Sequence, residues 1–169
     1  DPPQVFMSDD FSFQEDSQME IDLSNYIIDF DNDPLQINIF NNYHIQWNEQ
    51  DLILQLSADE NWNGTENLQL MAYDGIAADY DNFLVTVTPV NDDPIWNLPA
   101  EVSFPEDGSL SLNLDNYASD PDGDPLTYDF IPGAYISGVL NDNMLILSAS
   151  ENWFGSEDIT ISAFDLENA

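Results

Sequence analysis

The stretch SADENWNGTE at 57–66 returns at 148–157 as SASENWFGSE, 91 positions later, and nothing else constrains this chain's fold as tightly. The same offset relates Phe13, Glu15 and Asp16 to Phe104, Glu106 and Asp107, and Tyr26 to Tyr117. It also relates the triplet Asp29, Asp31, Asp33 to Asp120, Asp122, Asp124, the pair Pro34-Leu35 to Pro125-Leu126, and Asp74 to Asp165. A register held without insertion means one fold used twice in tandem. Units that contact only their neighbours stack into a quasi-linear array.

Within each unit the apolar residues keep period two. LQINIF, LILQL, ENLQLMAY and NFLVTVTPV in the first unit, and SLSLNL, LTYDFI, NMLILSA and DITISAF in the second, have strand length and strand composition. Asn63-Gly64, Asp74-Gly75, Asp122-Gly123 and Pro132-Gly133 separate them as turns. No segment holds a capped helical period. The pattern predicts an all-β chain of two tandem antiparallel Greek-key sandwiches, each of about seven strands. The repeats run over 1–91 and 92–169, with VTPVNDDPIW (87–96) as a stiff, proline-containing seam. In this frame the second unit lacks its last strand, because the counterpart of DYDNFLVTVTPV lies past the last residue. Either the segment is cut from a longer array or a neighbouring molecule donates the strand.

Charge narrows the function. The chain carries 34 acidic residues, no Lys or Arg, one His and no Cys, for a net charge of −34. Such a surface repels nucleic acid and anionic membranes, and no apolar run is long enough to span a bilayer. Disulfides and thiolate metal sites are excluded. Four Trp, seven Tyr and ten Phe spread along the chain argue for folding rather than disorder. A folded chain this acidic needs its self-repulsion relieved from outside, and cations are the obvious agent.

Aspartates at i, i+2 and i+4 in a turn repel one another unless a cation sits among them. Calcium suits them, being a hard ion that takes about 6–8 oxygen ligands. Zinc prefers nitrogen and sulfur, which His44 alone cannot supply. An EF-hand loop does not fit DPDGDP: Pro125 stands where the turn glycine belongs and Ile131 where the bidentate glutamate belongs. Further ligands must therefore come from elsewhere in the chain. The plain alternative is a pair of turns with solvated aspartates.

The motifs YASDPDGDPLTYDF, ISAFD, MAYDG and VNDDP, in this order and twice over, resemble the extracellular calcium-binding repeats of cadherins. They resemble still more the cadherin-like tandem repeats of large bacterial surface proteins. The resemblance covers both units and implies calcium at the joint between successive repeats. Its ligands would be Asp120 and Asp122 with their neighbour Asp124, Asn91 with Asp92 or Asp93 of the linker, Asp165 after the penultimate strand, and Glu15 at the end of the first strand. Asp29, Asp31, Asp33 and Asp74, together with Asp1, would form half of an equivalent site facing a preceding repeat. The family's Asp-Arg-Glu motif is absent; DENWNGTE stands in its place, which leaves the roles of Glu60, Asn61 and Glu66 open.

Trp62 and Trp153, like Tyr26 and Tyr117, occupy equivalent positions and are expected to pack in the core or at corners. Trp47 and Trp96 have no counterparts, so they are the candidates for stacking on sugar. His44 has no partner suggesting chemistry, and repetition argues against a unique catalytic centre, so no enzymatic activity is expected. The expected function is a structural segment of an extracellular adhesin or fibre, rigidified by calcium, whose partners are neighbouring repeats of the same or an identical chain. The alternative is a carbohydrate- or protein-binding accessory module of a secreted protein.

Overall fold

The computed structural model describes residues 1–165. The chain divides into two compact units, Asp1–Val90 and Asn91 onward, one residue earlier than the sequence boundary. Asn91 falls in the second unit, where its carboxamide donates to Asp165 Oδ2 at 3.0 Å.

The first unit contains β1 (Gln4–Val5), β2 (Phe11–Gln14), β3 (Gln18–Asp22), β4 (Ile27–Ile28), β5 (Gln36–Phe40), β6 (Ile45–Gln50), β7 (Ile53–Ala58), β8 (Gly64–Tyr73) and β9 (Ala78–Thr88). One sheet runs β2-β9-β8-β5 and the other β3-β7-β6, with β1 and β4 forming a short separate pair. Alternate residues from the two sheets meet in one core: Ile21, Leu54 and Leu56 from one, Leu68, Leu70, Phe83, Val85 and Val87 from the other. This is a β-sandwich, and the period-two reading of LILQL, ENLQLMAY and NFLVTVTPV gives its buried positions.

The antiparallel expectation needs one correction. Strand β2 pairs parallel with β9, Phe11 opposite Val85 and Gln14 opposite Thr88. Glu15 extends that pairing, its N–H donating to Thr88 O at 3.0 Å. The chain then reverses through Asp16, whose positive φ of 56° suits a tight turn, and enters the other sheet as β3.

The second unit contains β10 (Ile95–Trp96), β11 (Ser109–Asn113), β12 (Ala118–Ser119), β13 (Thr127–Ile131), β14 (Ile136–Asn141), β15 (Met144–Ala149) and β16 (Thr160–Phe164). Its sheets are β11-β15-β14, β13-β16 and the short pair β10-β12. Every one of these strands lies 91 positions from a counterpart in the first unit, and so does the short 3-10 turn Leu114–Asn116, matching Leu23–Asn25.

Among the described residues the second unit lacks two counterparts where the sequence predicts one. That of β9 would begin at residue 169, outside the described residues. That of β2, residues 102–105, is not a strand either. In the first unit β2 hydrogen-bonds only to β9, whose counterpart lies outside the described residues. The first half of β8 follows suit. Gly64–Leu68 pair with β9, and their counterparts 155–159 form no strand.

Candidate functional site

The aspartate triplets fold into the same local structure in both units. Asp120 Oδ1 accepts the backbone N–H groups of Asp122 at 3.0 Å and Asp124 at 3.2 Å. Asp29 accepts those of Asp31 at 3.4 Å and Asp33 at 2.7 Å. The first aspartate of each triplet thus shapes the turn, which realises part of the plain turn reading. The other oxygen of Asp120, Oδ2, is buried and accepts no hydrogen bond. An ionised oxygen withdrawn from water without a donor is costly, so it favours a cationic or donor partner.

The linker reaches this turn within the second unit. The backbone N–H of Asp92 donates to Asp122 Oδ2 at 2.8 Å, and the neighbouring Asn91 side chain holds Asp165, which is 3% exposed. Asn91, Asp92, Asp120, Asp122, Asp124 and Asp165 are therefore joined through hydrogen bonds and covalent neighbours, and every candidate ligand atom among them is an oxygen. Asp93 is exposed in the same linker. Among the described residues, however, no group of three or more His, Asp or Glu side chains is placed so that it could hold a metal ion. Oxygen donors of this kind are the ones a hard cation takes.

The first unit repeats the motif around a positive charge. The Asp1 ammonium hydrogen-bonds Asp31, the bond its counterpart Asp92 makes with Asp122. That bond, helped by the charges of Asp31, Asp29 and Asp74, raises the ammonium's pKa. Asp74 Oδ1 accepts the N–H groups of Ala77 and Ile76, both at 2.7 Å, and these hold its carboxyl below the usual range. Glu15 is 2% exposed; Oε1 accepts Val90 N–H at 2.7 Å, while Oε2 is buried and accepts no hydrogen bond.

The motif that replaces Asp-Arg-Glu proves to be a brace. Glu66, 8% exposed, accepts the N–H of His44 at 2.8 Å and that of Tyr43 at 3.1 and 3.3 Å, pinning the β5–β6 loop. Its counterpart Glu157 does the same for Ala134 at 2.6 Å, Tyr135 at 3.0 Å and Ile136 at 2.8 Å. Burial pushes the Glu157 pKa up, but the N–H groups of Ile136, Tyr135 and Ala134 outweigh it, and the net shift is downward. Gly133 lies against that carboxylate, and Asn42 takes the equivalent place beside Glu66 in the first unit. Asn61 and Asn152 adopt positive φ, 53° and 56°, and donate to Asp16 and Asp107 respectively.

Aromatic residues close the same loop. Trp62 stacks on His44 at 4.8 Å between centroids and Trp153 on Tyr135 at 5.2 Å, each indole lying over the glycine two residues on. His44 Nδ1 also contacts Asp59 at 3.1 Å. Trp47 is half-buried against the core, and Trp96 lies beside Tyr128 at 5.9 Å. Sequence reasoning missed one clasp altogether: Asp79 and Asp81 of β9 accept the N–H groups of Val5 and Met7, both at 2.8 Å. The alternation Asp79, Asp81, Phe83, Val85, Val87 was its available signal.

No protein-family profile matches the chain, and no curated protein matches it. Among solved structures it is similar to the H294Q variant of endo-fucoidan hydrolase MfFcnA4 from glycoside hydrolase family 107. Identity is 20%, the TM-score 0.47, and the match covers 99% of this chain and 27% of that one. Endo-fucoidan hydrolase MfFcnA9 matches at 14% identity and TM-score 0.39, covering 96% of this chain and 33% of that one. Titin domains Z1Z2, solved in complex with telethonin, match at 10% identity and TM-score 0.33, covering 95% and 93%. The chain thus spans about a quarter to a third of the length of the hydrolases it matches. Likeness at this level carries no functional argument. Among the described residues no helix is long and apolar enough to cross a membrane.

Proposed function

We propose that this chain is a calcium-binding, cadherin-like repeat segment with a structural role in an extracellular surface adhesin or fibre, and not a catalyst. The observation that carries the reading is the second unit's connected oxygen set, with the buried Asp120 Oδ2 left without a donor. Asn91, Asp92, Asp120, Asp122 and Asp165 would hold the ion, with Asp124 and Asp93 beside them. Glu15, tied to Val90, and the set Asp29, Asp31, Asp33 and Asp74 would serve successive repeats in the same way.

When bound, calcium supplies the positive charge that the chain lacks. Asn91 directly follows Val90 at the unit boundary, so fixing Asn91 and Asp92 against Asp122 and Asp165 would stiffen the passage from one repeat to the next. An ion that binds only the folded arrangement adds to stability. With a Kd in the extracellular-module range of roughly 10⁻⁴–10⁻³ M, 10 mM calcium stabilises by about 1.4–2.7 kcal/mol.

Thermal unfolding in 10 mM calcium chloride, against sodium chloride of equal ionic strength, tests this. The second unit's transition should rise beyond the salt control, and Asp120→Asn should remove the excess. Asparagine keeps the acceptor for the Asp122 and Asp124 N–H groups, so the turn survives while the charge goes. Equal shifts in the two salts would reduce calcium to general screening and refute the proposal.

A further inference from the structure

The sheet β2-β9-β8-β5 of the first unit turns one set of alternate residues into the core and the other outward, and the two sets differ in charge. Among the described residues its strands carry three acidic side chains, Glu66, Asp79 and Asp81, and all three belong to the inward set. Asp79 and Asp81 fall in step with buried Phe83, Val85 and Val87 and hold the Val5 and Met7 N–H groups. Glu66 falls in step with buried Leu68 and Leu70 and holds those of Tyr43 and His44. The outward set carries no charge, in a chain with 34 acidic residues.

The ladder register lays these outward residues in rungs. Asn38 stands opposite Met71, and Met71 opposite Tyr80; Phe40 stands opposite Gln69, and Gln69 opposite Asn82. Asn67 pairs with Leu84 in the next rung, and Thr65 with Thr86 beyond it. From Thr65 to Tyr73 the face runs about 27 Å, at about 3.4 Å per residue. Tyr80 is 50% exposed, Leu84 41% and Phe40 38%, so apolar area alternates with amides that both donate and accept. Gln69 Nε2 donates to Asn82 Oδ1 at 3.3 Å, and the Thr65 and Thr86 hydroxyls lie 3.1 Å apart. The second unit does not repeat this composition: Asp129 stands at the position of Asn38, Asp158 at that of Asn67, and Thr160 at that of Gln69. Asn38 Oδ1 accepts the Ile39 N–H at 3.1 Å, as Asp129 Oδ1 accepts the Phe130 N–H at 2.8 Å. The local bond is the same in both units and only the charge differs, so the fold itself does not call for the neutral amide.

We propose that this face binds an uncharged, linear polysaccharide. Charge selects the occupant. A net charge of −34 repels anionic glycans, nucleic acid and a second copy of the chain alike. A face without carboxylates, in turn, gives a cationic partner nothing to pair with. A chain of hydroxyls brings no charge of its own, and it gives and takes hydrogen bonds as Asn67, Gln69 and Asn82 do, with no ion to strip of water on binding. Tyr80 and Phe40 flank these amides and offer ring faces to the apolar faces of the sugars. The site is an open sheet face rather than a closed pocket, which suits an extended chain. It adds an adhesive contact to the structural role proposed above and uses none of the residues assigned to calcium.

The test runs the whole chain, at fixed calcium concentration, through native gels containing glucomannan, mixed-linkage β-glucan or a linear α-glucan, with dextran sulfate as the anionic control. At least one of the uncharged polysaccharides should retard it, and dextran sulfate should not. Replacing exposed Tyr80 and Asn82 together by alanine should weaken binding by about tenfold or more. Asn38→Asp, which keeps the acceptor for the Ile39 N–H as Asp129 does in the second unit, should weaken it by about threefold. Asn48→Ala, exposed on the other sheet, should leave binding unchanged. Retardation by none of the uncharged polysaccharides, equal retardation of the Tyr80→Ala, Asn82→Ala chain, or equal retardation by dextran sulfate would overturn the proposal. Dimerisation without polysaccharide that the same double variant abolishes would give the face to a second copy and overturn it as well.

Discussion

Replacing Glu66 with alanine removes the acceptor for two backbone donors at once, the N–H groups of Tyr43 and His44. Hydrogen bonds to a charged acceptor contribute roughly 1.5–3 kcal/mol each, and an orphaned buried donor costs about 1–3 kcal/mol. Both donors are partly buried, so the lower end of the range applies to each and the expected loss is about 3 kcal/mol. At 4–8 °C per kcal/mol, the first unit's melting midpoint should fall by roughly 12–24 °C. Glutamine keeps one acceptor for His44 but turns its amide group toward Tyr43 N–H, and should cost about half as much. Exposed Glu60, in the same motif, provides the control; its alanine variant should stay within about 0.5 kcal/mol of the parent. Urea unfolding followed by Trp62 fluorescence reads these differences, in calcium and in chelator alike. The brace spends its lone pairs on N–H groups, so the Glu66 cost should not depend on calcium. A Glu66→Ala cost no larger than that of Glu60→Ala, or one that vanishes in chelator, would refute the bracing role.

Leu70→Ala should destabilise the first unit by about 2–5 kcal/mol, whereas Ile161→Ala at the equivalent position should cost about half as much, because Leu70 is fully buried and Ile161 only partly; equal costs in denaturant would contradict that difference in burial. Glu157 has a lowered folded pKa, so its bonds to Ala134, Tyr135 and Ile136 contribute fully above the ordinary value of 4.5, and that contribution is lost as pH falls through the folded value. The stability gap between the parent and Glu157→Gln should therefore shrink when unfolding is followed from pH 7 down to pH 3, and a constant gap would show that the carboxylate charge is not what the loop uses.

The period-two runs made most of the fold legible, because the buried side chains of β7, β8 and β9 fall at the alternate positions the sequence shows. Strands β2, β3 and β6 were less visible, being short or largely polar, as in IQWNEQ, and owing their extension to partners elsewhere in the chain. The parallel β2–β9 pairing was invisible for the same reason: register with a partner more than 70 residues away leaves no local trace. At the site, the motif resemblance grouped the linker residues Asn91 and Asp92 with Asp122 and Asp165, and hydrogen bonds join Asn91 to Asp165 and Asp92 to Asp122. The resemblance did not tell that the first aspartate of each triplet turns one oxygen back onto its own backbone. The Glu66 brace could have been inferred from its repetition as Glu157, but a lone glutamate in a polar loop looks like any solvated side chain until its donors are known.

How a chain of net charge −34 holds its carboxylates explains why two oxygens matter. Among the described residues the Asp1 ammonium pairs with Asp31, and His44 Nδ1 lies 3.1 Å from Asp59. With no Lys or Arg to call on, the fold turns to its own backbone. Asp29, Asp74, Asp79, Asp81, Asp120, Glu66 and Glu157 all accept main-chain N–H groups. These dipoles stabilise each carboxylate locally and spread little beyond it, so the net charge still repels at long range and is screened only over about 10 Å at 0.1 M salt. Glu15 Oε2 and Asp120 Oδ2 depart from this economy, being buried without a donor. A backbone dipole could have served them as it serves the others. Several carboxylates of this chain are met by main-chain N–H groups and these two oxygens are not, so they are where the cation of the proposed function would act most strongly.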